Sequence, residues 1–568
     1  MSDPTSNPTS NPTSDPTSDP TSGSPHPAPA RTLYRGGFVY SPVDPFATAL
    51  LTVDGQIAWI GSDEAAGTHL DGAGEVVELD GALVTPAFVD AHVHLSMTGQ
   101  ALTGVDLSGA SSLVDALGLV EAAARQRGGR PLFAHSFDED AWPERRAPTR
   151  SELDRAAYGG VVYAPRVDVH SAVVSSALAA ASGARSRAGW QESGLVRGDA
   201  HHAVRGAFAA GLSHADRATH RAAALQSAAA AGIGLVHEHG SPQISSEEDL
   251  VASVAAGAVG DAPQVFGYWG ELVADADAAR LLVSRLPIRG LAGDLCVDGS
   301  IGSRTACLRE PYADVSAGDH RGTAYLSSAE VRDHVVACTQ AGTQAGFHVI
   351  GDAAADIVVT GLRDATGVLG APALRAAGHR LEHLEMVDAD AIEALAALGV
   401  TASVQPAFDA AWGGPMGMYA ARLGLGRAVR MNPFATMASM GLPFALGSDS
   451  PVTPFDPWAA VSACVNHRTA AQRLSARSAF LAHTRAGWRA AGIDDRGYLA
   501  PGQPATLAVW AVGDLVVQAP DRRVQNWSTD PRSGTPGLPD VSPGASRPRS
   551  RRTVIRGRTV FEEAGALT

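Results

Sequence analysis

Two histidines one residue apart end an apolar run in TPAFVDAHVHL, residues 85–95. Successive side chains of a strand point to opposite faces, so His92 and His94 point one way and Val93 the other. Two neutral imidazoles directed at one point are a good ligand pair for a divalent transition metal such as zinc. The pair alone fits a strand end with two partly exposed histidines equally well, so the rest of the chain must decide.

Polar residues of the same types end other apolar runs. They are His348 in GFHVIGD, His383 in RLEHLEM and Asp449 in ALGSDSP. Each alone is typical of a hydrogen-bonded core histidine or of an aspartate that caps a helix. In a barrel of parallel strands, however, the carboxyl ends of the strands converge on one axis, so residues far apart in sequence can share one metal.

Apolar runs alternate with Ala/Leu-rich helical stretches over residues 85–496, which is the pattern of a parallel sheet with crossover helices. We predict an α/β fold, a distorted (β/α)8 TIM barrel whose site lies at the carboxyl ends of the strands. Residues 97–225 interrupt the alternation of strand-like and helical stretches. They are predicted to be an insertion after the first strand that forms a lid. The eight candidate strands are ALVTPAFVDAHVH, GIGLVHEHG, APQVFGYWG, GDLCVDGS, AGFHVIGD, HRLEHLEM, VTASVQPAF and LPFALGSDS.

Short strand-like segments near both ends predict a small β-sandwich domain built from residues 31–84 and 497–568. Within it, residues 519–551 are rich in Pro, Arg, Ser and Gly and are predicted to be a flexible insertion. Residues 1–30 contain five tetrads of the type DPTS or NPTS, with no apolar side chain to bury. We predict that this tail is disordered.

The bulk composition limits the partners. A net charge of −15 argues against a nucleic acid or an anionic membrane, and no apolar run approaches the roughly 20 residues that span a bilayer. The four cysteines show no CxxC spacing, and the N-terminal residues show no secretory signal. We expect a cytoplasmic protein with reduced thiols and a small-molecule substrate; the oligomeric state, a homo-oligomer included, is left open.

The chain contains no lysine, so all 44 of its basic residues are arginine. This absence excludes Schiff-base chemistry, a lysine general base and a carboxylated lysine.

The ordered motifs resemble the amidohydrolase superfamily and, more narrowly, its amidohydrolase-3 group of YtcJ-like proteins, which includes N-substituted formamide deformylases. The resemblance spans residues 32–563 and implies a TIM barrel with a metal in its mouth. It places His92, His94, His348, His383 and Asp449 at ligand and catalytic positions. The motifs are PAFVDAHVHL, DEDAWPERRAPTRSELD, DGSIGSRTA, FHVIGD, RLEHLEM, ASVQP and LGSDSPV.

One position departs from that family. Many members carry a carboxylated lysine on strand four that bridges two metals, where this chain has Asp294. Alternation puts Asp294, Cys296 and Asp298 on one face, but the aspartate is several methylenes shorter than the modified lysine. We therefore predict one divalent metal, zinc by default with iron or manganese as alternatives, held by His92, His94, His348 and Asp449 or a subset. The competing prediction is a dinuclear site bridged by Asp294 or Cys296.

The predicted reaction is hydrolysis of the non-peptide C–N bond of a small N-substituted amide by a metal-activated water. Asp449 acts as general base and then acid, and His383 helps the metal to stabilise the oxyanion. Two alternatives stay open: a mononuclear deaminase of a ring amine or amidine, and a non-catalytic, metal-poor binding or regulatory protein on the same fold.

Five further residues are predicted to bind substrate. The guanidinium of Arg304 suits a carboxylate or carbonyl, although it could equally tie loops together. The resemblance places His170 in the lid, near the substrate. The others are the second HxH pair, His237 and His239, and Trp142 as part of an apolar pocket.

Overall fold

The structure is a computed structural model that describes residues 30–315, 319–518, 527–528, 536–565 and 567. The predicted disordered tail therefore lies outside the described residues except for Ala30. Part of the predicted flexible insertion, residues 519–526 and 529–535, lies outside them too.

The first described segment is a meander of short strands. A tight Asp-Gly turn joins β3 to β4. Its two residues, Asp54 and Gly55, have positive φ angles of 49° and 79°. Four of the strands form a sheet in the order β4-β3-β1-β5. The elements are β1 (Arg31–Arg35), β2 (Phe38–Val39), β3 (Ala49–Val53), β4 (Gln56–Gly61), α1 (Asp63–Ala66), β5 (Glu75–Glu78) and β6 (Leu83–Pro86).

The predicted first barrel strand, residues 82–94, is divided at Ala87. The part before Ala87 is β6, which belongs to a sheet outside the barrel, and the part after it is β7 (Phe88–Val93), the first barrel strand. The prediction of one strand was wrong because both halves are apolar, and an apolar run does not show where the chain leaves one sheet for another.

The insertion that follows β7 has its own five-stranded sheet, in the order β12-β11-β10-β9-β8. Helices pack around this sheet and lead back to the barrel. The elements are α2 (Leu95–Thr103), β8 (Val105–Asp106), α3 (Leu113–Arg127), β9 (Leu132–His135), α4 (Arg150–Ala156), β10 (Val162–Pro165), β11 (Ser171–Val174), α5 (Ser176–Ser182), β12 (Leu195–Arg197), α6 (Gly198–Ala210) and α7 (His214–Ala230).

Seven more parallel strands complete an eight-stranded sheet in the order β7-β13-β14-β15-β16-β17-β18-β19, with helices outside it. The predicted barrel is confirmed. Its elements are β13 (Ile233–Gly240), α8 (Glu247–Ala258), β14 (Gln264–Trp269), α9 (Ala276–Arg285), β15 (Ile288–Leu291), α10 (Ser328–Ala341), β16 (Gln344–Val349), α11 (Asp352–Leu369), α12 (Ala371–Ala377), β17 (Arg380–His383), α13 (Ala389–Ala397), β18 (Thr401–Val404), α14 (Pro406–Trp412), α15 (Met418–Leu423), α16 (Leu425–Ala428), α17 (Phe434–Ser439), β19 (Phe444–Leu446), α18 (Pro457–Val465), α19 (Ala476–Ala482) and α20 (Arg485–Ala490).

The sheet closes where β19 meets β7. The backbone N–H of Asp449 donates to the carbonyl of His92 at 2.9 Å, and the N–H of His94 donates to the carbonyl of Ser450 at 3.0 Å. Hence the first and last barrel strands bring His92, His94 and Asp449 together through their own backbones.

The fourth strand is not the predicted one. It is β15, and the predicted run GDLCVDGS follows it as an irregular segment. Asp294 has a φ of 59°, which no strand residue adopts, and Cys296 makes a single bridge to His348. Strand alternation therefore does not apply to Asp294, Cys296 and Asp298.

The C-terminal strands return to the N-terminal ones. β6 pairs antiparallel with β20 in a sheet of order β2-β6-β20-β24-β25, so both chain ends share one sheet, as predicted for the small β-domain. Within 519–551, the Val541 carbonyl accepts hydrogen bonds from Ser462 and Asn466 of α18 and the turn after it. The strands are β20 (Leu507–Ala511), β21 (Leu515–Gln518), β22 (Trp527–Ser528), β23 (Leu538–Pro539), β24 (Arg549–Ile555) and β25 (Arg558–Glu562).

In the described part of the chain, no single helix has the length and hydropathy to cross a membrane. Only α11 and α12 taken together pass that test, and they are bent by 115°. All four cysteines are free thiols.

Candidate metal centre

Three unpaired polar atoms meet at the carboxyl ends of β7, β17 and β19. They are Nε2 of His92, Nε2 of His383 and Oδ1 of Asp449, and all three lie within 4.8 Å of one another. All are buried, and none has a hydrogen-bond partner among the described residues. Leaving such an atom unpaired in the interior costs about 1–3 kcal/mol. Lone pairs that are buried, unpaired and convergent are what a cation requires, so these residues fit a divalent metal.

His94 adds a fourth donor to this cluster. Its Nε2 lies 3.3 Å from Oδ1 of Asp449, and Nε2 of His92 lies 3.4 Å from the same oxygen. Ligand atoms at 2.0–2.1 Å from a tetrahedral zinc are roughly 3.3 Å apart. The two imidazole nitrogens are therefore spaced from the carboxylate as zinc ligands are.

Two of these residues have a strained backbone. The φ angles are 73° for His383 and 55° for Asp449, in the left-handed region that side-chain-bearing residues rarely adopt. Such strain costs about 1–3 kcal/mol and persists where the surrounding structure determines the conformation. Here it turns each side chain from the end of its strand into the barrel mouth.

Asp294 lies between the two pairs of histidines. Its Oδ1 is 3.0 Å from Nδ1 of His348, 3.5 Å from Nε2 of His383 and 4.0 Å from Nε2 of His92, while its Oδ2 is 3.9 Å from Nε2 of His94. A bridge by Asp294 therefore stays an alternative to the prediction of one metal, which rested on the shortness of this side chain. That prediction assumed a strand, whereas the positive φ of Asp294 lets the backbone itself enter the mouth.

His348 is already hydrogen-bonded at both ring nitrogens. Nδ1 bonds to Asp294, and Nε2 lies 3.3 Å from the carbonyl oxygen of Gly299. Nearby, the thiol of Cys296 donates to the Asp294 carbonyl at 3.4 Å, and burial raises its pKa well above the ordinary value. One ligand atom from each of Asp294, Cys296 and His348 lies within 4.8 Å of the others, so these residues form a second convergent group beside the first. Unlike Nε2 of His92 and Oδ1 of Asp449, the nitrogens of His348 already have hydrogen-bond partners.

A buried ion pair fixes the ring of His92. Oε2 of Glu382 accepts a hydrogen bond from Nδ1 of His92 at 2.8 Å, and Oε1 of Glu382 accepts from Nε of Arg380 at 2.6 Å. Burial would raise the pKa of Glu382, but Arg380 and the histidines hold it well below its usual range. Because the carboxylate accepts the Nδ1 proton, Nε2 is left with the lone pair that a metal binds. Sequence reasoning missed both residues, although they stand in the quoted motif RLEHLEM.

The carboxylates and imidazoles of the cluster shift each other's pKa values because they are buried close together. Burial would lower the pKa of His383, but the nearby carboxylates of Asp294 and Asp449 raise it to about 10. Burial would likewise raise the pKa of Asp449, and His92 with its neighbouring histidines lowers it. A divalent cation at this point takes the place of such protons.

The second HxH pair lies behind the first and not in the cavity. The ring of His239 stacks on that of His92 with centroids 4.0 Å apart, and Nδ1 of His237 lies 3.1 Å from Arg380. Both side chains are fully buried.

The three remaining residues that were predicted to bind substrate have different surroundings in the structure. His170 lines the cavity, with its ring centroid 5.0 Å from that of His348. Arg304 pairs with Asp314 through two nitrogens, so it ties loops together. The prediction for Trp142 was wrong: its side chain lies in the core of the insertion, where Nε1 donates to the Ala110 carbonyl.

A cavity with an empty volume of about 340 Å³ adjoins the cluster. His383, Asp449 and His170 supply one side of it. The other side carries aromatic residues of α14 and α15, namely Phe408, Trp412 and Tyr419.

The amidohydrolase family model matches residues 75–561. This chain belongs to the amidohydrolase family. It is 24% identical over 473 residues to YtcJ of Bacillus subtilis (strain 168), named as an amidohydrolase, covering 77% of this chain and 83% of that protein. It is 26% identical over 460 residues to the N-substituted formamide deformylase of Arthrobacter pascens, and the match covers 73% of this chain and 80% of that protein. The crystal structure of an uncharacterized metal-dependent hydrolase from Pyrococcus furiosus superposes with a TM-score of 0.65 at 26% identity. The superposition covers 84% of this chain and 98% of that one.

The family resemblance read from the motifs is thus confirmed. The protein is a metal-dependent hydrolase of the amidohydrolase family.

Proposed function

We propose that this enzyme hydrolyses the C–N bond of a small N-substituted amide and releases a carboxylic acid and an amine. The convergence of unpaired, buried atoms of His92, His383 and Asp449 carries this proposal. The likeness to the formamide deformylase supports the bond type.

The metal is proposed to be one divalent ion, zinc by default. His92, His94 and Asp449 would hold it, with Asp294 beside them. Asp294 replaces the predicted His348 in this set because both nitrogens of His348 are already hydrogen-bonded. Bound there, such an ion lowers the pKa of a water towards neutrality.

The protein's own side chains move the protons. The carboxylate of Asp449 accepts a proton as the water oxygen attacks the amide carbon, and returns it to the nitrogen as the C–N bond breaks. His383 donates its Nδ1 proton to Oε1 of Gln405 at 2.8 Å, so its Nε2 is the atom that faces the cavity. When protonated, Nε2 donates to the carbonyl oxygen as negative charge develops there.

The position of Asp294 favours a second candidate arrangement, with two metals. One carboxylate within 4.0 Å of four imidazole nitrogens is placed where a bridging ligand would lie. His348 and His383 would then hold the second ion. The number of bound metals per chain distinguishes the two arrangements.

The reaction is tested with the metal-loaded enzyme and a panel of N-substituted amides and ring amines. The proposal expects an amine and a carboxylic acid in equal amounts from at least one amide. Release of ammonia with a carbonyl product would instead establish the deaminase. Asp449→Asn is the control, and its rate of product formation must fall at least about 10²-fold.

A further inference from the structure

A second cleft contains His94 of the metal centre in its lining. It has an empty volume of about 1150 Å³ and lies between the insertion and the loop after β13. Its lining is largely apolar and aromatic, with Met97, Phe133, Tyr163 and Phe208 among its residues. Such a cleft suits an organic group connected to an atom at the metal centre.

One cation in this cleft lacks a counter-ion. Arg205 of α6 is half-buried and lines the cleft, and no carboxylate of the described residues lies within 4.0 Å of it. One nitrogen, Nη2, donates to the Val169 carbonyl at 3.1 Å, whereas Nε is buried without a partner among the described residues. An arginine in such surroundings normally has a carboxylate or phosphate on its planar fork.

The positive charge of Arg205 acts on its neighbours. Burial first and Arg205 second lower the pKa of His202 to about 4 and that of His201 well below its ordinary value. The neighbouring histidines are thus kept neutral, and the guanidinium remains the local positive charge.

Two of the three carboxylates of the cleft, those of Asp249 and Glu238, already have a hydrogen-bond partner; the third, Glu248, has no ion-pair partner among the described residues. Asp249 accepts from Arg221 at 2.5 Å, and Oε2 of Glu238 accepts from the Leu95 N–H at 2.7 Å. The second arginine, Arg217, donates through Nη2 to the carbonyls of Ala209 and Leu212 at the end of α6. Arg205 differs from Arg217 in that its Nε is buried without a partner among the described residues, although its guanidinium also contacts Val169 and Tyr163.

We propose that Arg205 binds a carboxylate group in this cleft. The apolar part of the same molecule lies on Phe133, Tyr163 and Phe208. The carboxylate has two sources, a substrate that carries one or the acid that hydrolysis releases. This assignment rests on the proposed function for the origin of the carboxylate, although its binding can be measured without turnover.

Calorimetric titration of the metal-loaded enzyme tests the binding. The probes are 3-phenylpropionate and the neutral 3-phenylpropanol. Arg205→Met is expected to weaken 3-phenylpropionate about tenfold or more, because hydrogen bonds to charged groups are lost, and to leave 3-phenylpropanol unchanged. Arg205→Lys keeps the charge and should restore part of the affinity.

Arg217→Met, in the same cleft, is the matched control and should bind both probes normally. Equal affinity for 3-phenylpropionate in wild type and Arg205→Met would overturn the proposal.

Hydrolysis of two amides separates the two sources. If the substrate carries the carboxylate, Arg205→Met lowers kcat/KM for 3-phenylpropionylglycine and not for N-ethyl-3-phenylpropionamide. If the released acid is bound, kcat/KM is unchanged for both, and inhibition by 3-phenylpropionate weakens. A variant that changes neither quantity contradicts the role of Arg205. Failure of the wild type to cleave any amide would contradict the proposed function alone, since the titration still decides on the cleft.

Discussion

Three imidazoles of the candidate site, those of His92, His94 and His383, have their other ring nitrogen already engaged. Nδ1 of His92 bonds to Glu382, that of His94 to the carbonyl of His239, and that of His383 to Gln405. These partners are acceptors, so Nδ1 carries the hydrogen in all three rings and Nε2 faces the mouth. The sequence predicted the histidines from their strand ends. Their partners come from other strands, so local patterns did not show them.

Asp449→Asn tests the proposed proton transfer. The amide side chain keeps an oxygen donor but accepts no proton at neutral pH, so we expect kcat to fall by about 10²-fold or more. The bound metal should stay near the wild-type amount. Steady-state kinetics together with elemental analysis measure both, and full activity in the variant would contradict the role of Asp449.

Glu382→Gln tests the support of His92. The glutamine is of similar size but carries no charge to hold the Nδ1 proton or to balance Arg380. We expect metal affinity to fall about 10- to 100-fold, as is typical for such partners. A chelator competition measures it. Glu385→Gln is the matched control, because Glu385 is also buried but bonds to Tyr419 and not to an imidazole of the cluster. Equal losses in the two variants would refute a specific role for Glu382.

The seam between β19 and β7 is the element that forms the site. Gly447 follows β19, and a Cβ there would lie 2.7 Å from the backbone nitrogen of His92 and 3.1 Å from the carboxylate of Asp90. The close approach of two backbones therefore requires glycine at this position.

Gly447→Ala is expected to force the two strands apart. We predict a loss of stability of about 1–3 kcal/mol and weaker metal binding, since the seam sets the distance between His92 and Asp449. Gly367→Ala in α11 is the control, because its Cβ would meet nothing within 4 Å. That change should be neutral or stabilising by up to about 1 kcal/mol. Urea unfolding of both variants makes the comparison, and an unaffected Gly447→Ala would show that the seam is not tight.

Strand ends were more predictable than connections. The runs that became β13, β16, β17, β18 and β19 are apolar and end in or lead into polar residues, a pattern that the sequence shows directly. β15 has only four residues, IRGL, and carries no such signal, whereas the longer run GDLCVDGS after it has an apolar centre and polar ends and resembles a strand. The left-handed backbone conformation of Asp294 keeps this segment from forming a strand. The sequence does not show that conformation, because the residue is not a glycine.

At the scale of the whole molecule, the insertion determines what surrounds the metal centre. It supplies His170 to one cavity and Arg205 to the other. The histidine was predicted through the family resemblance, but Arg205 stands in an Ala-rich helix whose sequence does not show that it faces a cleft. Trp142 shows the converse, because an aromatic residue in the same insertion fills the insertion's own core.

Buried histidines outside the site make stability depend on pH. Burial lowers the pKa of His334, His379 and His483 to about 4 each, against 6.5 in an unfolded chain. The unfolded chain therefore takes up protons at higher pH than the folded one. We expect full stability above about pH 6.5 and a progressive loss towards pH 4, of the order of 3 kcal/mol for each group.

The variant His379→Gln isolates one of these groups. Its proton uptake on unfolding between pH 4 and 6.5 should be smaller than that of the wild type by about one proton. Urea titrations at several pH values measure the difference. An identical pH dependence in the two proteins would show that His379 is not held neutral by its burial.

The metal content of the purified protein tests the central claim most directly. We would measure bound metal per chain by mass spectrometry in the wild type and in His92→Ala, with His334→Ala as a control outside the site. The account predicts about one divalent ion per chain in the wild type and the control, and its loss in His92→Ala. Two ions per chain would favour the arrangement bridged by Asp294. No bound metal after incubation with zinc, manganese or iron, or a metal content unaffected by His92→Ala, would contradict the proposed metal centre.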